Sequence, residues 1–132
     1  MNCPLCKDIN LDLEVLATGR TAYPGCVEGY ARVVENLSQL NQLHAGEILV
    51  TPMTNPESTP YILKAAAVVT DRGGILCHAA IVCRELKVPC IVGTKSITKR
   101  IITGDFICVC ATSGKVSISQ PSKDVAVNNI IR

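Results

Sequence analysis

The chain has 132 residues, of which 48% are apolar and 18% charged, with a formal net charge of +2. That length fits one domain able to bury its own core, and the apolar content excludes a disordered chain. So small a charge with no basic block argues against nucleic-acid or acidic-membrane partners, and 3% aromatic residues with no Trp argue against base stacking.

In chain order, residues 8–16, DINLDLEVL, alternate polar and apolar and predict a half-buried strand. TAYPGCVEGYARVVEN predicts a strand, a turn at Pro24-Gly25 and a returning strand. Asn36 suits the cap of a short helix, LSQLNQL, which Ala45-Gly46 ends. EILVT (47–51) is a strand stopped by Pro52. TNPESTP (54–60) is loop chemistry, with Ser58 or Thr59 as a cap and Pro60 opening a short helix through YILKA. AAVVT (66–70) is the continuous apolar run of a strand buried on both faces.

After Asp71-Arg72-Gly73-Gly74, CHAAIVCRELK has helical periodicity, with Cys77, Ala80, Ile81, Cys83 and Arg84 on one broad stripe. Val88-Pro89 closes that helix and CIVGT (90–94) returns as a strand. A turn or brief helix through SITKRI then leads to a hairpin, FICVCA and KVSIS, around Thr112-Ser113-Gly114. The fold class that follows is α/β, built about a strand–Gly-Gly loop–helix–strand unit.

No apolar run approaches the ~18 residues that span a bilayer, and MNCPLCKDINLD lacks the pattern of a secretory leader. A cytoplasmic location is expected, and with it eight reduced cysteines. Cys83, Cys90, Cys108 and Cys110 sit inside apolar runs, where a thiol behaves as a small hydrophobe. Cys3 and Cys6 form a lone Cys-x-x-Cys. A structural zinc site asks for a second pair of ligands, which His44 and His78 do not provide at the required spacing. No metal is expected here, and a zinc-binding adaptor built on Cys3 and Cys6 stands as a separate alternative.

The central stretch, TDRGGILCHAAIVCR (70–84), carries the chemistry. A strand ending in Thr70, a Gly73-Gly74 loop and a helix opening near Cys77-His78 build a place for an anion. Helix N-termini present unpaired N–H groups and positive dipole ends, and glycines let backbone approach a ligand. A histidine there suits nucleophilic catalysis, because a neutral ring that gains a phosphoryl group becomes the anion that the dipole favours. The alternative for such a residue is a solvated or capping histidine, since the general phosphate loop with its lysine is absent.

The run from Thr70 to Thr94 resembles the phosphohistidine signature of phosphoenolpyruvate-utilising enzymes, as in phosphoenolpyruvate synthase, pyruvate phosphate dikinase and Enzyme I of the phosphotransferase system. It has the Thr, the two Gly, a small polar residue before the His, Ala after it and an Arg six residues on. PGCVEGYARV, GEILVTPMTNPE and GDFICVCATSGKV resemble the family's opening turn, its Thr-x-Pro loop and its closing hairpin, so the likeness covers roughly residues 20 to 119.

The resemblance implies a swivelling β/β/α domain at residues 20–119, between an N-terminal extension (1–19) and a C-terminal tail (120–132). It implies His78 as the catalytic residue that carries the phosphoryl group. Thr70 would hold or orient the ring, with Arg72, Gly73, Gly74 and Cys77 about the phosphate. Arg84 lies about 240° around the helix from His78, which points to an interface or structural role. The only group expected on this chain is covalent phosphate on His78. Magnesium and ATP or phosphoenolpyruvate would belong to partner sites, an ATP-grasp nucleotide-binding protein, a phosphoenolpyruvate-binding barrel, or both, for which this chain has neither the length nor the motifs. The function implied is that of a phosphoryl carrier and component of a phosphotransferase, not a complete enzyme. The alternative is a non-catalytic binding or regulatory module that keeps the fold.

Overall fold

The structure, a computed structural model, describes residues 15–119. Residues 8–14 of the first predicted strand, Cys3, Cys6 and the tail at 120–132 lie outside the described residues. The elements are β1 (Val15–Thr18), β2 (Arg20–Tyr23), β3 (Cys26–Val33), β4 (Ile48–Thr51), α1 (Thr59–Lys64), β5 (Ala67–Thr70), α2 (His78–Leu86), β6 (Cys90–Val92), β7 (Phe106–Cys110) and β8 (Lys115–Ile118). Short 3-10 turns occupy Leu37–Gln42, Pro56–Ser58 and Ile97–Lys99.

The strands form one sheet in the order β1-β8-β7-β3-β4-β5-β6-β2. β3, β4, β5 and β6 run parallel, as strands joined by crossovers do. The other pairings are antiparallel: β7 beside β3, then β8 and β1, and β2 beside β6. β1 and β2 therefore lie at opposite ends of the strand order, yet Gly19 alone separates them in the chain. One residue spans about 3.5 Å, so the two edges must meet and the sheet closes on itself. The seam fits only glycine: a Cβ on Gly19 would lie 2.5 Å from the Val92 carbonyl oxygen and 2.8 Å from Ile91 Cγ2.

Alternation along the strands divides the apolar residues between two cores. Ile48, Val50, Ala67, Val69, Ile107 and Val109 fill the interior of the closed sheet. Leu49, Val68, Cys90 and Val92 face outward against Ile62 of α1 and Ala79, Ala80 and Cys83 of α2. β4 and β5 are buried along their whole length, which explains their unbroken apolar runs. Each fully buried Val, Leu or Ile is worth about 1.5–3 kcal/mol of transfer energy.

Three sequence expectations are corrected. β3 does not return along β2: β2 pairs with β6, while β3 pairs with β4 and β7. Gly25, at φ +135°, packs close to the Pro89 ring, and its N–H donates to Thr112 Oγ1 at 3.1 Å. The turn is thereby tied to two other segments and sends β3 to the middle of the sheet. The buried stripe of α2 is Ala79, Ala80 and Cys83, with Ile81 45% exposed and Arg84 exposed. The small residues let the helix lie close on the sheet and turn Ile81 outward. The segment capped by Asn36 is a 3-10 turn, although the cap forms, with Asn36 Oδ1 accepting from Ser38 N at 3.1 Å. Residues Val15–Thr18, within the stretch read as an N-terminal extension, form a strand of the sheet.

Candidate functional site

The parallel strands β4 and β5 end side by side at Thr51 and Thr70. Loops rising from the carboxyl ends of neighbouring parallel strands make the usual crevice of an open α/β sheet. Here the loops are laced together: Asp71 N donates to Thr51 O at 3.2 Å and Arg72 N to Pro52 O at 3.0 Å. The Asp71 carboxylate accepts from Thr98 N at 3.0 Å and Thr98 Oγ1 at 2.6 Å. Thr94 donates twice to the Thr70 carbonyl, through its N–H at 3.1 Å and its hydroxyl at 2.9 Å. The base of the loop is thus fixed before it reaches the glycines.

Gly73 holds φ +112°, and a Cβ there would meet Cys77 Sγ at 2.7 Å. Gly93, at φ +71°, lets the Gly73 carbonyl come within 2.8 Å of where its Cβ would stand. Gly74 has neither a positive φ nor a close neighbour, so Gly73 alone of the pair is demanded by the turn.

His78 is the first residue of α2, with Cys77 as the extended residue before it. The Cys77 side chain makes no capping bond, so the first-turn N–H groups are not closed off by it. His78 Nδ1 lies 2.8 Å from Thr54 Oγ1. Thr54 is buried and rises from the end of β4. With Nδ1–H as donor to that oxygen, the lone pair sits on Nε2.

Thr54 is the residue that sequence reasoning missed: its hydroxyl, rather than that of Thr70, stands at hydrogen-bond distance from the ring. Thr70 Oγ1 instead donates to Arg72 O at 2.6 Å, bracing the loop from below. Both threonines line a cleft of about 240 Å³ with Met53, Arg72, Gly73 and His78. Arg72 is exposed on that cleft, its guanidinium 3.8 Å from Met53 Sδ and without an acidic partner among the described residues.

Arg84 does not form a salt bridge among the described residues. Its Nη2 donates to Ile75 O at 2.6 Å, so it holds the 73–77 loop from the outside. His44 lies at the opposite end of β4, exposed, with Nδ1 3.7 Å from Glu47 Oε1. Cys83 of α2 packs against the sheet with Cys90 of β6, where the Cys83 hydrogen bond, reinforced by burial, pushes the Cys90 thiol far up. Cys77, Cys83, Cys90 and Cys110 are free thiols, whereas Cys26 is disulfide-bonded, which corrects the expectation of eight reduced cysteines.

A family described as the mobile domain of phosphoenolpyruvate-utilising enzymes matches residues 43–114. The chain is 47% identical over 105 residues to the phosphoenolpyruvate synthase of Pyrococcus furiosus, covering 80% of this chain and 13% of that protein. It is 44% identical over 101 residues to the phosphoenolpyruvate synthase of Synechocystis, covering 76% of this chain and 12% of that one. Among solved structures, an Enzyme I protein studied by NMR superposes with a TM-score of 0.54 at 26% identity, over 70% of this chain and 38% of that protein. The chain thus spans about an eighth of the length of these synthases, and that eighth includes the loop and helix that carry His78. It belongs to the mobile-domain family of phosphoenolpyruvate-utilising enzymes.

Proposed function

We propose that the chain is a phosphoryl carrier, with Nε2 of His78 as the acceptor. The observation that supports this most is the Thr54–His78 contact at 2.8 Å, which engages Nδ1 of a ring that lines the cleft. The Nε2 lone pair attacks phosphorus, the bond from phosphorus to the donor's leaving oxygen breaks, and a P–N bond forms. The ring then carries positive charge, which Thr54 Oγ1 eases by accepting from Nδ1–H. The new phosphate, with about two negative charges, lies at the N-terminus of α2 and beside Arg72. On delivery the acceptor oxygen attacks phosphorus, the P–N bond breaks and its electron pair returns to Nε2. The donor and acceptor sites belong to a nucleotide-binding and a phosphoenolpyruvate-binding partner, which would also hold magnesium.

The test incubates the chain with ATP, magnesium and the nucleotide-binding portion of a phosphoenolpyruvate synthase. One phosphoryl group should be gained, labile to acid and stable to base. His78→Ala should gain none and His44→Ala should match the parent. Equal labelling of the His78 variant refutes the assignment. A folded chain that binds this partner tightly and is never labelled points instead to a regulatory module.

A further inference from the structure

Residues 71–100 carry six Lys or Arg against two acidic side chains, a net of +4 in a chain that nets only +2. The remaining residues are therefore net negative, and positive charge is concentrated about the loop and helix that present His78. Arg72, Lys95, Lys99 and Arg100 are all exposed, and they follow the carboxyl ends of β5 and β6, which pair side by side.

Their placement is built into the fold. Ile97 and Ile101 are buried in the interior core and pin the 3-10 turn Ile97–Lys99 to the end of the closed sheet. Thr98 is fastened to the Asp71 carboxylate, and Lys95 N donates to Asp71 O at 2.8 Å. The Arg72 loop and the 94–100 segment are thus one hydrogen-bonded unit. Lys95 holds φ +81°, a backbone that favours glycine or asparagine. A lysine is a poor choice for that turn, so its side chain is the reason to keep it. The nearest carboxylates in the chain are already used: both Asp71 oxygens accept from Thr98, and Asp105 Oδ2 accepts from Ile102 N at 3.0 Å. Among the described residues none of the four cations forms a salt bridge.

We propose that this basic surface docks an acidic face of the nucleotide-binding partner, and that loading His78 weakens the docking. The inference rests on the carrier function proposed above. Arg72 shares the cleft with His78, so a phosphate on the ring sets about two negative charges against the surface. Attraction for carboxylates is therefore strongest in the unloaded chain and falls once the phosphoryl group arrives. The partner that must capture the unloaded form and release the loaded one is the donor, which is why the acidic face is assigned there. Opposed charges raise the rate of encounter and fix the orientation in which the cleft meets the donor. A nucleic acid is the poorer fit, because residues 70–101 contain no aromatic side chain on which a base could stack.

The full chain is titrated calorimetrically with the nucleotide-binding portion of a phosphoenolpyruvate synthase, at low and at high salt. The dissociation constant should rise about tenfold between ~50 and ~500 mM NaCl, over which range screening shortens several-fold. Lys95→Glu combined with Lys99→Glu should raise it about tenfold at low salt and flatten the salt dependence. Lys115→Glu, beside Cys110 at the amino end of β3 and so at the far end of the sheet, should match the parent. Lys95→Gly suits the backbone and lacks the charge, so it should keep the parent's thermal midpoint and still weaken binding. Chain phosphorylated on His78 should bind several-fold more weakly than the unloaded chain. Binding indifferent to salt and to these charges overturns the proposal, as does an equal effect of Lys115→Glu, or tighter binding to duplex DNA or anionic vesicles. If His78 takes the label while docking ignores charge, the carrier function stands and this surface falls. If charge governs docking and His78 is never labelled, the surface stands and the carrier function falls.

Discussion

At the scale of single residues, the site turns on which ring nitrogen of His78 is held. Thr54→Val keeps the shape of the side chain but removes the oxygen 2.8 Å from Nδ1. Phosphorylation should slow by about 10- to 100-fold, as when the partner of a functional imidazole is lost, and Thr54→Ser should restore most of the rate. A rate for Thr54→Val equal to the parent's removes Thr54 from the mechanism. Gly73→Ala should cost about 1–3 kcal/mol in denaturant unfolding, because of its positive φ and the 2.7 Å approach to Cys77 Sγ. Gly74→Ala should stay within about 0.5 kcal/mol. The position of His78 at the start of α2 and the tight turn at Gly73 were legible in the sequence because both arise within one strand–loop–helix unit. Thr54 was not, since its contact spans 24 positions and exists only because β4 and β5 end as neighbours.

At the scale of elements, short-range patterning found most strands and both helices, because apolar runs and Pro or Gly breaks are local signals. Pairing partners were harder. The β2–β3 turn looked like a hairpin, and only the closure of the sheet through Gly19 shows that its strands part company. Gly19→Ala should therefore lower the thermal midpoint more than substitution of the open Gly46, whose Cβ meets nothing within 4 Å. The start of β4 carries a separate pH-sensitive contact. The Arg32 guanidinium, bonded to Glu47 at 3.0 Å, holds the Glu47 carboxyl below its ordinary value, and the His44 N–H adds to this. A carboxyl lowered on folding stabilises fully above its unfolded value, about 4.3, and loses that contribution as pH falls through the folded value. Both side chains are about 20% exposed, so the effect is modest. Glu47→Gln should be less stable than the parent at pH 7, and the two should converge in acid unfolding curves. Parallel curves would show that the pair contributes nothing.

At the scale of the whole molecule, the proposed carrier function requires the chain to visit two partners and stay with neither. Met53, which lines the cleft, is near half exposed, and the adjoining loop and helix add an apolar rim in which Leu76 is 79% exposed and Ile75 and Ile81 near half. Such a rim fits repeated, brief docking, with dissociation constants of about 1 μM or weaker. Leu76→Asp, which touches no core, should raise the partner concentration for half-maximal phosphorylation several-fold and leave the thermal midpoint unchanged. An unaltered concentration dependence would place docking elsewhere. The family was legible from the sequence because its signature lies in one run of residues. The closed sheet was not, because it depends on strand partners far apart in the chain.

The central claim is that Nε2 of His78 accepts the phosphoryl group while Thr54 keeps Nδ1. Long-range ¹H–¹⁵N spectra of ¹⁵N-labelled chain, before and after phosphorylation by the synthase's nucleotide-binding portion, test it most directly. An Nδ1–H tautomer is expected before transfer, and coupling of ³¹P to Nε2 after it. Coupling to Nδ1, or an unchanged His78 ring under conditions that phosphorylate the synthase's own mobile domain, would contradict it.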